Sequence, residues 1–181
     1  MILIRTNRHR RRRGRRRPRT VLALTLFGLG LIGLASLARP APCLVWNASA
    51  SAPIGLYRVL PGDAVRGDLV LVRTPNSVRR LAAERDYLPS NVPLVKRIVA
   101  AAGDIVCGAG DAISINGRVV AERLARDRLG RPLPTWSGCH LLDGGEAFLL
   151  MEGVADSFDS RYFGPVPTAA IIGRLAPLWV E

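Results

Sequence analysis

The rhythm of polar and apolar positions changes twice along this 181-residue chain. The first twenty residues are crowded with charge. Residues 21–38 (VLALTLFGLGLIGLASLA) then run for 18 positions without a charged side chain. Coiled as a helix, such a stretch spans about 27 Å, close to the hydrocarbon thickness of a bilayer. Beyond Arg39 and a Pro40-Ala41-Pro42 exit, apolar residues come only in short runs broken by Gly, Pro and Asp. Residues 69–73 (LVLVR) follow Arg66-Gly67-Asp68, and residues 94–101 (LVKRIVAA) lie between Pro93 and Gly103-Asp104. Residues 112–120 turn at Asn116-Gly117, a pair that favours a two-residue hairpin loop. Residues 147–151 and 170–175 complete the set. Short, turn-punctuated runs rich in branched residues read as β-strands. The polar stretch 77–91 reads as a short surface helix, and the Arg-rich stretch 122–137 as a loop. The pattern predicts a mainly β, antiparallel domain over residues 39–181, one transmembrane helix over 21–38, and a separate tail over 1–20.

Charge sharpens this division. The formal net charge is +12, yet ten arginines fall between Arg5 and Arg19; without them 16 basic residues face 14 acidic ones. The basicity therefore belongs to the tail, and no nucleic-acid surface is expected on the domain. Positive charge on one side of an apolar stretch places the tail in the cytoplasm and the domain outside. Three competing readings stay open. Ser36-Leu37-Ala38 offers small residues for signal-peptide cleavage, the tail alone could bind nucleic acid, or it could extend a shorter natural N-terminus. The three cysteines, Cys43, Cys107 and Cys139, match no zinc spacing. In an oxidising compartment a Cys107–Cys139 disulfide with Cys43 unpaired is expected, the alternative being two buried free thiols.

The chemistry is narrowed by elimination. With His9 in the tail and His140 alone beside Cys139, a Ser-His-Asp triad is a poor reading, and zinc hydrolysis a poorer one, because one outer histidine cannot supply a usual ligand set. No phosphate loop or dinucleotide fingerprint is present. Of the 26 basic residues, 25 are arginine; Lys96 is the sole lysine, set in an apolar strand. Lysine can lose its proton at neutral pH when burial disfavours the ammonium, whereas arginine cannot. A neutral amine beside a serine hydroxyl is a general base; the bland alternative is a lysine snorkelling from a strand edge. The segment WNASASAPIGLY (46–57) supplies Ser49 and Ser51, two apart and so on one side of an extended chain. Its small residues, proline and glycine make one tight, backbone-exposed loop, and read alone this is more often an ordinary Ser/Ala turn than a reactive one.

Three separated blocks resemble the type I signal peptidases, which use a Ser-Lys dyad. Ser49-Ala50-Ser51 with Pro53 is similar to their nucleophile block, Lys96-Arg97 with Gly103-Asp104 to their lysine block, and residues 156–164 (DSFDSRYFG) to their C-terminal block. The resemblance implies that Ser51 attacks, Lys96 is the base, Ser49 helps form the oxyanion hole, Ser157 orients the lysine, and Asp159 and Arg161 form a structural pair. It implies a signal-peptidase-like antiparallel β domain that needs no metal or organic cofactor. Two departures, a nucleophile block one residue shorter before the proline and no room for a large β insertion, resemble the TraF subfamily of conjugative transfer signal peptidases. So does the stretch 127–139 (DRLGRPLPTWSGC).

The expected substrate is then a preprotein, a pilin precursor, released in linear or cyclised form. The expected place is the bacterial cytoplasmic (inner) membrane, crossed once, with the catalytic domain periplasmic beside type IV secretion components. Competing expectations are a housekeeping leader peptidase, a self-cleaving repressor of the Ser-Lys type, and a non-catalytic anchored scaffold.

Overall fold

The apolar stretch forms a helix. The computed structural model describes residues 18–38 and 42–181, so most of the arginine-rich tail, with His9, and the link through Arg39, Pro40 and Ala41 lie outside the described residues. The chain divides into two units, Met1–Ala41 and Pro42–Glu181. In the first, helix α1 (Pro18–Ala38) covers the predicted apolar positions. Leu22, Leu24, Phe27, Ile32 and Leu34 are exposed along it, and the Thr25 hydroxyl donates to the Val21 carbonyl at 3.0 Å. The expected helix over residues 21–38 is thus present, but the expected transmembrane span is not found: among the described residues no helix is long and apolar enough to cross a membrane.

The second unit is mainly β, as the short apolar runs predict. In chain order it holds β1 (Leu44–Asn47), β2 (Gly55–Leu60), β3 (Leu69–Val72), α2 (Asn76–Glu84), β4 (Leu94–Ala100), β5 (Ile105–Ala109), β6 (Ala112–Ile115), β7 (Arg118–Glu122), β8 (Gly138–Leu141), β9 (Glu146–Leu150), α3 (Ser160–Phe163), β10 (Val166–Pro167) and β11 (Ile171–Val180). Among the described residues one sheet has the order β1-β2-β11-β3-β4-β9-β10 and the other β7-β6-β5-β8. The strand pairs in both are antiparallel. The β6–β7 hairpin turns at Asn116 and Gly117, both with positive φ (50° and 80°), as a two-residue loop twisted to match its strands requires.

Burial follows the strand period of two. In β9, Ala147 and Leu149 pack with Val70, Leu94 and Ile98, while Phe148 and Leu150 pack with Val106, Ile113 and Leu142. One strand thus lies between two cores. A third cluster joins Tyr57, Leu71, Val95, Met151 and Leu175 to Ala52, which anchors the 48–54 loop.

Three features differ from the sequence reading. First, residues 46–57 are not one loop: β1 ends at Asn47 and β2 begins at Gly55. Gly55 has φ 152°, and a Cβ there would run into the Trp179 carbonyl, so the close crossing of β2 and β11 needs glycine. Second, the surface helix stops at Glu84, burying Val78 and Ala82. Asp86 turns left-handed (φ 57°), and a further turn, closed by the Val92 amide on the Pro89 carbonyl at 3.0 Å, leads through Pro93 into β4. Third, β11 runs to Val180, past the predicted end at 175. The 122–137 excursion is irregular as expected, apart from one Arg126–Pro132 bridge.

Candidate active site

In the sheet, β2 and β4 are separated by β11 and β3, three strand spacings or about 14 Å. The loop between β1 and β2 closes that gap. Ala52, 4% exposed, docks on the cluster that includes Val95, Leu71 and Leu175. Asn47 ties the loop from within. Its Nδ2 donates to the carbonyls of Ser49, Ala52 and Pro53 at 2.9, 3.1 and 3.0 Å, and its Oδ1 accepts from the Ser49 amide at 3.1 Å. The Tyr57 hydroxyl donates to the Pro53 carbonyl at 2.7 Å. Neither Asn47 nor Tyr57 was singled out from the sequence. An Asn two residues before Ser49 is the pattern of an Asx turn, and that signal was there to be read.

The structure brings the sequence-selected residues together. Lys96 Nζ donates to Ser51 Oγ at 3.2 Å and to Ser157 Oγ at 2.8 Å. Lys96 is 3% exposed and Ser157 2%; Lys96 does not snorkel. Burial pushes the Lys96 ammonium down to about 8; the Asp159 carboxylate opposes this, Arg161 adds to it, and Asp156 opposes it. A useful fraction of the amine is therefore neutral near physiological pH. Ser49 Oγ lies 3.0 Å from Ser51 Oγ and accepts the Ser51 amide at 3.3 Å. The two groups expected to bind an oxyanion thus face each other and must turn outward to a substrate oxygen.

Behind Ser157, the 151–164 segment is fixed by a buried pair. Arg161 Nε and NH2 donate to the two Asp159 oxygens at 2.8 and 3.1 Å, with Arg161 2% and Asp159 0% exposed. Asp159 also accepts the Met151 and Arg161 amides at 3.1 and 3.2 Å and caps α3. Arg161 spends its remaining donors on the carbonyls of Glu122, Ala155 and Met151. Phe158, next to Ser157, is stacked on Tyr162 and touches Tyr87 and Phe163.

Ser51 and Lys96 open into a groove of about 1090 Å³. Trp46 and Val95 line it from the sheet, Leu88 and Val92 from the connection before β4, and Leu124 and Leu129 from the excursion. Cys107 and Cys139, opposite one another on β5 and β8, are joined as a disulfide at the base of that excursion; Cys43 is free and exposed. His140 forms a surface pair with Glu146 at 2.6 Å and has no part in the groove. Among the described residues no group of three or more His, Cys, Asp or Glu side chains is placed to hold a metal.

Known proteins resemble this sequence. A family profile described as signal peptidase, peptidase S26, matches residues 17–179. A probable conjugal transfer protein TraF of Sinorhizobium fredii is 34% identical, over 91% of this chain and 89% of its own length. The plasmid transfer protein TraF of Escherichia coli is 32% identical over 73% of this chain and 80% of its own. The conjugal transfer protein TraF of Agrobacterium fabrum is 34% identical over 88% and 92%. A signal peptidase I structure from Enterococcus faecalis, 22% identical, overlays 64% of this chain and 98% of its own with a TM-score of 0.35, too loose a fit to add to the argument. The sequence matches are extensive and run through all three blocks around Ser51, Lys96 and Ser157, and by them the chain belongs to the signal peptidase S26 family, among its TraF members.

Proposed function

We propose that the chain is a serine endopeptidase in which Ser51 attacks and Lys96 is the base. Its substrate is a preprotein, the pilin precursor of a conjugation apparatus. The observation that carries this reading is the buried Lys96 amine, held between Ser51 Oγ and Ser157 Oγ at the edge of a peptide-sized groove. Family membership supports peptidase chemistry, and the conjugal-transfer names of the relatives support the setting. The neutral amine takes the Ser51 proton as Oγ attacks the scissile carbonyl. The Ser51 amide and Ser49 hydroxyl hold the oxyanion. The resulting ammonium protonates the leaving amine, and an ester to Ser51 remains. Water, deprotonated by the same lysine, hydrolyses the ester to a linear product; the substrate's own amino terminus, attacking instead, closes a cycle. Ser157 keeps the amine aimed throughout.

The two serines have separable roles. Ser51→Ala removes essentially all precursor cleavage. Ser49→Ala lowers kcat by about 10²–10³-fold, the loss expected for one oxyanion donor. Cleavage assays on purified variants check this. An active Ser51→Ala would sink the proposal, and a dead Ser49→Ala beside an active Ser51→Ala would move the nucleophile by two residues.

The same proposal places residues 21–38 across the bacterial cytoplasmic membrane, with the catalytic domain periplasmic beside the secretion components. Support comes from the 18 uncharged positions and the ten arginines before them. A periplasm-dependent phosphatase fused after Glu181 is expected to be active. A stable but inactive fusion would put the domain in the cytoplasm.

A further inference from the structure

The excursion between β7 and β8 carries one feature that the cleavage chemistry leaves unused. Leu129 is 74% exposed, more than any other large apolar side chain among the described residues, and it lines the same groove as Ser51 and Lys96. An apolar side chain at the tip of a loose loop would be unremarked surface. This one sits on a turn held by hydrogen bonds within it and to the chain before β4.

At its start is Asp127. Its Oδ1 accepts the Leu129 and Arg131 amides, both at 2.9 Å, and its carbonyl accepts the Gly130 amide at 2.9 Å. Its Oδ2 accepts Arg131 Nε at 2.6 Å and the Tyr87 hydroxyl. Arg85 fastens the turn further to the chain before β4, donating to the Pro132 carbonyl at 2.7 Å and accepting Arg131 NH2 on its own carbonyl at 3.3 Å. The Arg131 guanidinium lies over the Tyr87 ring, 5.6 Å from its centre. Arg128, the residue just before Leu129, pairs across the groove with Asp156, the neighbour of Ser157, at an exposed position. The turn is thus clamped through Asp127 and Arg131 to the chain before β4, with a surface pair to the wall beside Ser157, and Leu129 is left bare. Leu124, 42% exposed, and Val92, 39% exposed, line the groove as well.

We propose that Leu129 is a specificity-determining residue: with Leu124 and Val92 it forms an apolar subsite that takes a large apolar side chain of the peptide being cleaved. The inference rests on the peptidase reading and adds a requirement to it. Since the clamps order the turn in advance, little conformational entropy is lost when a substrate covers Leu129. Continuity with the groove that holds Ser51 makes the substrate the occupant.

The test uses quenched fluorescent peptides with alanine before the scissile bond and leucine or alanine at each other position in turn. On the full-length protein, leucine at one position is expected to improve kcat/KM by about tenfold, mainly through KM, as one apolar contact does. Leu129→Asp abolishes that preference and Leu129→Met retains it; circular dichroism confirms that both fold, as exposed positions should. The same preference appears in the affinity of the Ser51→Ala protein for the peptides and disappears in Ser51→Ala with Leu129→Asp. Absence of any leucine preference in the parent, or its survival in Leu129→Asp, overturns the inference. If the parent cleaves nothing while the Ser51→Ala protein shows the preference, the subsite stands and the peptidase reading falls. If Leu129→Asp loses binding to phospholipid vesicles and leaves peptide selectivity intact, the residue meets lipid and the inference is wrong.

Discussion

A chain carrying Lys96→Met folds and loses nearly all of its cleavage. Methionine nearly matches the lysine stem in length and volume, so the buried site between β3 and β9 stays filled. Only the amine is lost. Ser157 then lacks the donor it meets at 2.8 Å, an unmade hydrogen bond that costs about 1–3 kcal/mol; relief from burying an amine offsets part of this. Turnover falls toward the upper end of the roughly 10²–10⁴-fold range for a missing general base. Lys96→Arg is equally inactive, since a guanidinium keeps its proton, but it also forces a larger permanent charge into a site 3% exposed. The parent's pH profile carries the same information. With the ammonium lowered by burial to about 8, the protonated form predominates below that pH and is inactive. The rate therefore falls about tenfold per pH unit on the acid side and levels off above. Stopped-time cleavage assays across pH, with unfolding curves of each variant, check both. Near-parental cleavage by Lys96→Met, or a rate indifferent to pH below about 8, would remove the lysine from the mechanism.

Asp159→Asn has the largest expected effect on stability, about 3–5 kcal/mol, because it strands a buried cation. Against a typical total of about 5–15 kcal/mol for a domain, that is a severe loss. Arg161 is 2% exposed, and its other donors already go to the carbonyls of Glu122, Ala155 and Met151. No solvent is at hand to compensate. Equilibrium denaturation measures the loss; a change under about 1 kcal/mol would mean that the pair is not what holds the segment. Replacing both members, Asp159→Leu with Arg161→Met, recovers much of it, since a buried ion pair often does no better than apolar packing of similar volume. In whatever fraction of Asp159→Asn folds, the lysine also loses the carboxylate that most raises its pKa. Its pH profile therefore moves to lower pH.

How far the sequence could be read depended on what each residue had to declare. Lys96 stood out because every other basic residue is arginine, and the branched run around it marked a strand. Asn116-Gly117 declared a hairpin through its need for positive φ. The wall-forming strands β1 and β2 were not legible, for the serine-bearing loop between them drew residues 46–57 into one reading, and Gly55 opens β2 with the residue least typical of a strand. What makes Gly55 necessary, the passage of β11 across it, is a long-range fact absent from local composition. The same holds for Asp127, which in sequence is one more acid in an Arg-rich loop. Its partners Tyr87 and Arg85 come from some forty positions earlier. Asn47 lies between these cases: its Asx-turn spacing was visible, but its three carbonyl partners were not.

The place of β11 sets the timing of activity. In the sheet it lies between β2, which follows the serine loop, and β3, which pairs with the lysine strand β4, yet it is formed by Ile171–Val180. Until those residues have left the ribosome, the platform that brings Ser51 to Lys96 has a gap at its centre. A chain without β11 therefore holds Ser51 and Lys96 on two separate pieces of sheet, with nothing to bring them into hydrogen-bonding range. Pairing so far apart in sequence also makes closure slow relative to the local hairpin at Asn116-Gly117, so the groove at Ser51 and Lys96 is assembled later than that hairpin.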